Sequence, residues 1–206
     1  MKLASVLDYG AGNVKSLSRA LIAAGYDRVQ LIDQPEQLNE ADNLYIPGVG
    51  SFSSATEKLQ SNGLFDAVLE HANSGKPLIG ICLGMQLLAT SGNEFGVNPG
   101  LGLIDGTVDL IPDVVQGRNV LPVINWIDVK LNTNPTFNLD SCKDPFYFVH
   151  SYYFKLNNER DLVAYYERGN SKIAAIVQKD NVIGFQFHPE KSGLAGIKLL
   201  KNTMSI

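Results

Sequence analysis

The chain has 206 residues, 45% of them hydrophobic and 18% charged, with a formal net charge of −4 at pH 7. That is enough to bury a sizeable core in a single domain over 1–206, and the lack of a basic cluster gives nucleic-acid binding no support. No apolar run reaches membrane-spanning length, and the opening Met1-Lys2-Leu3-Ala4-Ser5-Val6-Leu7-Asp8 meets an acid too soon for a signal peptide, so a cytoplasmic protein is expected.

In chain order, Leu3 to Leu7 reads as a strand and Asp8-Tyr9-Gly10-Ala11-Gly12-Asn13 as a turn. Asn13 is placed to cap a helix whose apolar residues fall at 14, 17, 20, 21 and 24, with Gly25 as its stop. Val29 to Ile32 is predicted as a strand, and Pro35 as the first residue of a short helix. A strand over Leu44 to Ile46 ends in Pro47-Gly48-Val49-Gly50. Helical patterns follow through Gln60 and from Leu64 to Ser74. In the second, the apolar positions 64, 65, 68, 69 and 72 leave His71 at the edge of the face or beyond, as a solvated or half-buried structural residue. Another strand runs into Cys82. This alternation predicts an α/β fold: a mostly parallel central sheet, helices on both faces, and functional groups at the carboxyl ends of the strands.

The second half changes character. From about Gly102 to Phe187 it consists of short β-rich runs, read as antiparallel additions to the same sheet, before a closing helix from Leu194 to about Met204. The glycine-rich turns after Leu7 and Ile46 match neither GxGxxG nor a P-loop, so no nucleotide or other cofactor is expected. Two cysteines without metal-ligand spacing predict neither a metal site nor a disulfide framework. Cys142 sits in a polar, turn-like stretch with no base nearby in sequence.

Cys82 stands apart. It lies in Gly80-Ile81-Cys82-Leu83-Gly84-Met85-Gln86, between an apolar strand opened by Pro77 and a run of helix formers through Thr90. Glycines two residues either side of the sulfur match a nucleophile elbow, a tight strand-to-helix turn with small residues where backbones crowd. The start of the following helix would favour a thiolate, and the Leu83 amide would be placed for an oxyanion. Taken alone, the elbow leaves a structural cysteine at a bend as an equal alternative.

A second segment supplies a base. Ile173 to Gln178 and Val182 to Phe187 read as a hairpin, with His188 at the end of its second strand and Pro189 ending the pairing. In an extended chain, residues two apart project to one side, so Glu190 can hold one ring nitrogen of His188 while the other faces the thiol. Nucleophile, base and orienter are thus Cys82, His188 and Glu190.

These motifs, together with Pro47-Gly48-Val49-Gly50 and Phe185-Gln186-Phe187-His188-Pro189-Glu190-Lys191-Ser192, resemble the class I (triad) glutamine amidotransferases. Asp8 to Asn13, Tyr147 to Tyr152, Met85 and Lys191 narrow the resemblance to the glutaminase subunits of imidazole glycerol phosphate synthases. The resemblance covers essentially the whole chain. It implies hydrolysis of L-glutamine to glutamate and ammonia, an oxyanion site at Leu83 with Val49 and Gly50, and glutamine contacts at Gln86, Glu94, Ser151 and Tyr152. The peptide of the Val49-Gly50 segment would turn to point a donor inward. His150 reads as structural, positioning its segment. The resemblance also implies a heterodimer with a (βα)8-barrel cyclase, met through Asn13, Trp126, Tyr147 and Lys191, with low activity until partner and ligand are bound.

One stretch departs from that pattern: Pro122-Val123-Ile124-Asn125-Trp126-Ile127 keeps the tryptophan but not the flanking His, Gly and Asn usual there. A glutaminase feeding another synthase, such as a sugar amidotransferase, is therefore the alternative. A hydrolase of other acyl substrates and a catalytically silent binding subunit are two further readings.

Overall fold

The computed structural model describes residues 2–112, 121–132 and 144–205; Cys142 lies outside them. The first half alternates as its pattern predicts. Strand β1 (Leu3–Leu7) leads through α1 (Val14–Ala24) to β2 (Arg28–Ile32), and a 3-10 turn over Pro35–Glu40 leads to β3 (Leu44–Gly48). Helices α2 (Phe52–Ser61) and α3 (Leu64–Asn73) precede β4 (Leu78–Cys82) and the one-turn α4 (Leu83–Gln86). Asn13 caps α1 by accepting the Ser16 N–H at 3.1 Å, and Gly25 closes that helix at φ 116. Such a cap stabilises a helix by about 1 kcal/mol.

The later strands are β5 (Ser91–Gly92), β6 (Asn98–Pro99), β7 (Gly106–Leu110), β8 (Val123–Ile127), β9 (Lys130–Leu131), β10 (Phe146–His150) and β11 (Tyr152–Leu156). They are followed by β12 (Leu162–Arg168), β13 (Ser171–Lys179), β14 (Val182–Phe185) and the helix α5 (Gly193–Asn202). Among the described residues the central sheet has eight strands in the order β2-β1-β3-β4-β14-β13-β12-β9. It is parallel from β2 to β14 and antiparallel beyond. Side chains alternate across it: Leu44, Ile46, Leu78 and Val182 pack with α2 and α3, whereas Tyr45, Ile79, Ile81, Ile183 and Phe185 pack with α1 and α5. All five residues of β4 are buried, as a strand covered on both faces requires.

Two expectations need correction. The β-rich second half does not all join the central sheet: β8 and β10 form their own antiparallel ribbon, and β11-β7-β5-β6 form a third sheet. The cause is visible in β10, where Phe146, Phe148 and His150 are buried and Tyr147 and Val149 only half-buried. A strand with one apolar face lies across a core instead of inside a doubly covered sheet. Phe146 stacks on Phe187 with ring centroids 4.0 Å apart, and Phe148 meets Tyr166 edge-on at 5.1 Å.

The helix after Cys82 is also shorter than predicted. Leu88 and Ala89 bond back only three residues, and the carbonyls of Leu87, Leu88 and Ala89 accept amides of Leu101, Ile104 and Gly102. With those acceptors taken by a neighbouring loop, the helix stops after one turn.

Candidate active site

Strands β3 and β4 run side by side and end together, with Gly48 opposite Cys82. Cys82 stands at φ 54 and ψ −110 on the step from β4 into α4. The crowding expected around an elbow is real. A Cβ on Gly80 would lie 2.5 Å from the Gly84 carbonyl oxygen, and one on Gly84 would overlap the Ile46 carbonyl oxygen. Glycine at 84 therefore lets α4 press directly on β3. A single turn carries little macrodipole, so the thiol depends on its side-chain neighbours more than on the helix.

Those neighbours are assembled around a cavity of about 280 Å3, lined by Val49, Gly50, Cys82, Leu83, Gln86, Glu94, Val149, His150, Ser151, Tyr152 and His188. His188 is 3% exposed and follows Phe187, which is stacked on Phe146. Its backbone N–H donates to the Tyr147 carbonyl at 2.9 Å. Nδ1 donates to Glu190 Oε1 at 2.8 Å, and the imidazole shares the cavity with the Cys82 sulfur. The Glu190 neighbour is reached by a different route from the extended chain expected. Pairing of β14 ends at Phe185, and Pro189–Lys191 forms a 3-10 turn. That turn brings the carboxylate back to the ring.

Burial works against a charged His188, but the hydrogen bonds and charges of Cys82 and Glu190 outweigh it and push its pKa from 6.5 up to about 10. A protonated ring facing the sulfur is the partner that a thiolate needs. Burial likewise pushes the neighbouring Tyr9 phenol up, with the Cys82 charge adding to it, so it stays neutral. Its hydroxyl donates to the Pro47 carbonyl at 3.0 Å.

The remaining predicted residues fall around this centre. Gln86 donates Nε2 to the Tyr152 carbonyl at 3.0 Å and to Gln186 Oε1 at 3.1 Å. Glu94 Oε2 accepts the Phe52 N–H at 2.7 Å, which fixes the carboxylate at the cavity. Gly50, at φ +104, has no atom within 4 Å of where a Cβ would stand, and Val49 is 48% exposed. Ser151 and Tyr152 line the wall opposite, with the Ser151 carbonyl accepting the Ile111 amide.

His150 is buried within that wall. Its Nδ1 donates to the Tyr152 carbonyl at 2.7 Å and its Nε2 accepts from the Tyr166 hydroxyl at 3.0 Å, which defines a neutral ring. Burial, more than the charges of Arg168 and His188, lowers its pKa to about 4. His71 is neither solvated nor half-buried: it is 4% exposed because it shares the buried face of α3 with Leu64, Val68 and Ala72.

The residues assigned to an interface lie outside the cavity. Trp126 and Tyr147 are register partners on β8 and β10 with rings 5.7 Å apart, and Lys191 Nζ lies 5.8 Å from the Tyr147 ring. Asn13 is exposed, and its helix packs against the turn that carries Lys191.

Sequence reasoning missed Gln186, which is fully buried with Nε2 3.9 Å from the Cys82 sulfur, and Val149, whose carbonyl lies 4.0 Å from the same atom. A polar residue inside the apolar run before His188 is a legible signal for Gln186. Val149 gives none. Among the described residues no group of three or more His, Cys, Asp or Glu is placed to hold a metal, and no helix is long and apolar enough to cross a membrane.

Known proteins resemble the chain along its whole length. A family model described as glutamine amidotransferase class-I matches residues 5–205. A Geobacillus sp. (strain WCH70) protein named imidazole glycerol phosphate synthase subunit HisH is 42% identical over 204 residues, covering 98% of this chain and 95% of its own. A protein of the same name from Bacillus licheniformis is 43% identical over 201 residues, covering 95% and 92%. Among solved structures, one described as PurLQS from Thermotoga maritima aligns with a TM-score of 0.76 over 99% of this chain and 98% of that one. At 19% identity that likeness concerns the fold alone.

Proposed function

The chain belongs to the class-I glutamine amidotransferase family, and on that premise we propose that it is the glutaminase subunit of an imidazole glycerol phosphate synthase. The observation that carries the reading is the buried chain of contacts from Cys82 through His188 to Glu190 at one end of a cavity of about 280 Å3. The names of the HisH relatives favour this acceptor over a sugar-type synthase.

The chemistry follows from the pair. Cys82 thiolate attacks the side-chain carbonyl carbon of L-glutamine, and the developing oxyanion is held by the Leu83 amide and by a donor from Val49-Gly50. Gly50 makes a peptide turn there inexpensive, since its conformation is one that glycine adopts freely. His188 gives its proton to the departing nitrogen, releasing ammonia and leaving a thioester on the sulfur. Water then enters, His188 takes its proton, and hydrolysis returns glutamate and the thiolate. Glu190 keeps the ring oriented in both halves. Gln86, Glu94, Ser151 and Tyr152 hold the substrate's amino-acid end.

Ammonia freed into water at neutral pH is mostly protonated and no longer a nucleophile. It must therefore pass directly to an apposed synthase. The reading takes this to be a (βα)8-barrel cyclase, seated on the face of Asn13, Trp126, Tyr147 and Lys191 to form a heterodimer in the cytoplasm. Glutamate release by the chain alone, then with such a cyclase and its ribonucleotide ligand, tests it. Strong stimulation is expected, and none would favour another acceptor.

A further inference from the structure

Ser192 precedes α5 at the position where a serine ordinarily caps a helix, yet its hydroxyl makes no capping bond. It is turned to another task. Oγ donates to the His188 carbonyl at 2.6 Å and accepts the Tyr147 N–H at 3.0 Å. The His188 N–H in turn donates to the Tyr147 carbonyl at 2.9 Å. Three hydrogen bonds thus close a ring between β10 and the segment that carries the base. The His188 carbonyl also accepts the Lys191 amide at 3.0 Å, so both of its lone pairs are engaged. Ser192 is 2% exposed, and buried groups of this kind are costly to leave unpaired.

Tyr147 has two sides to its role. Its backbone holds His188 and Ser192, while its ring meets Trp126 and Lys191 away from the cavity. Trp126 is 50% exposed, so this group of side chains is open to contact. Lys191 belongs to the same 3-10 turn as Glu190.

We infer that Ser192 is a positioning residue whose hydroxyl fastens the His188–Glu190 turn to Tyr147 and so sets the placement of the base. The inference rests on the glutaminase reading and adds to it a residue that holds the base in place. The groups facing His188 are Cys82, Glu190 and, within the cavity wall, His150. Loosening the ring of bonds withdraws the imidazolium from the first two.

Alkylation of Cys82 by iodoacetamide, followed between about pH 5 and 9 on the chain alone, reads how the sulfur and the histidine are placed. The Ser192→Ala profile should depart from that of the wild type. With the cyclase bound, glutamate release should fall about tenfold or more while KM for glutamine stays within about twofold, since small misplacements of a reacting group act on turnover. Ser192→Thr, which keeps the hydroxyl, should restore both readouts. An Ala profile that superimposes on the wild type would overturn the inference, and a lower melting temperature with that same unchanged profile would assign Ser192 to stability alone. A wild-type chain that releases no glutamate with the cyclase would instead sink the reading on which the inference rests.

Discussion

Cys82 holds φ 54, a backbone conformation that a non-glycine residue keeps only where its surroundings enforce it, at a cost of about 1–3 kcal/mol. The enforcement comes from β4, buried along its whole length, and from α4 wedged against β3. The strain aims the sulfur at a histidine that is itself held by Glu190 and by Tyr147. Glu190→Gln keeps the shape but removes the charge. It should lower turnover by about 100-fold, less than Cys82→Ala, because the base is still present but less well oriented and less readily protonated. Steady-state glutamate release checks this, and an equal or greater loss would contradict the orienting role. His150 behaves oppositely to His188. Its folded pKa of about 4 lies below the ordinary 6.5, so its contribution to stability is present above pH 6.5 and is lost as pH falls toward 4. The loss is on the order of 3 kcal/mol. Urea unfolding should show His150→Phe less stable than wild type at pH 7, with the Tyr166 hydroxyl unpaired and the Tyr152 carbonyl left with the Gln86 amide alone, yet with a flatter decline in acid. A decline as steep as the wild type's would place the acid sensitivity elsewhere.

At the scale of elements, the site is the meeting of three strand ends and a ribbon. β3 and β4 bring Val49-Gly50 and Cys82 together, β14 runs on to His188, and β10 seals the far side through Phe146 and Phe148. The contact of α4 with β3 is the tightest of these junctions, so Gly84→Ala should destabilise by about 3 kcal/mol or more through forced separation of the two elements. Denaturant unfolding measures the loss, and a variant as stable as wild type would mean that α4 can move away from Ile46 without penalty. Much of this frame was legible in the sequence, because β1 to β4 and their helices announce themselves by local periodicity and by Asn13, Gly25 and Pro35 at their ends. The division of the second half into separate sheets was not, since choice of pairing partner depends on contacts remote in sequence. The same holds for Ser192, whose importance rests on Tyr147, far away along the chain; Gln186 stands out as a polar residue in an apolar run, but its neighbours Cys82 and Gln86 could not be read from it. The spacing of Glu190 from His188 pointed to the right neighbours, though a 3-10 turn and not an extended chain joins them.

For the whole molecule, the central sheet divides the labour. Its β3–β4–β14 edge of carboxyl ends carries the chemistry, while the β8–β10 ribbon carries an aromatic face directed away from it. The departure at Val123 to Ile127 falls on that ribbon, where Ile124 is 59% exposed and Trp126 stays at the surface beside Tyr147. Changes there lie outside the contacts of Cys82, His188 and Glu190, and under the proposed function they alter what the partner meets. The central claim, that Cys82 generates ammonia for a separate synthase, is tested most directly by Cys82→Ala in the assembled complex. Glutamine-dependent synthesis should vanish while synthesis from added ammonium salt continues at the wild-type rate. Loss of both activities together, or survival of the glutamine-dependent one, would contradict it.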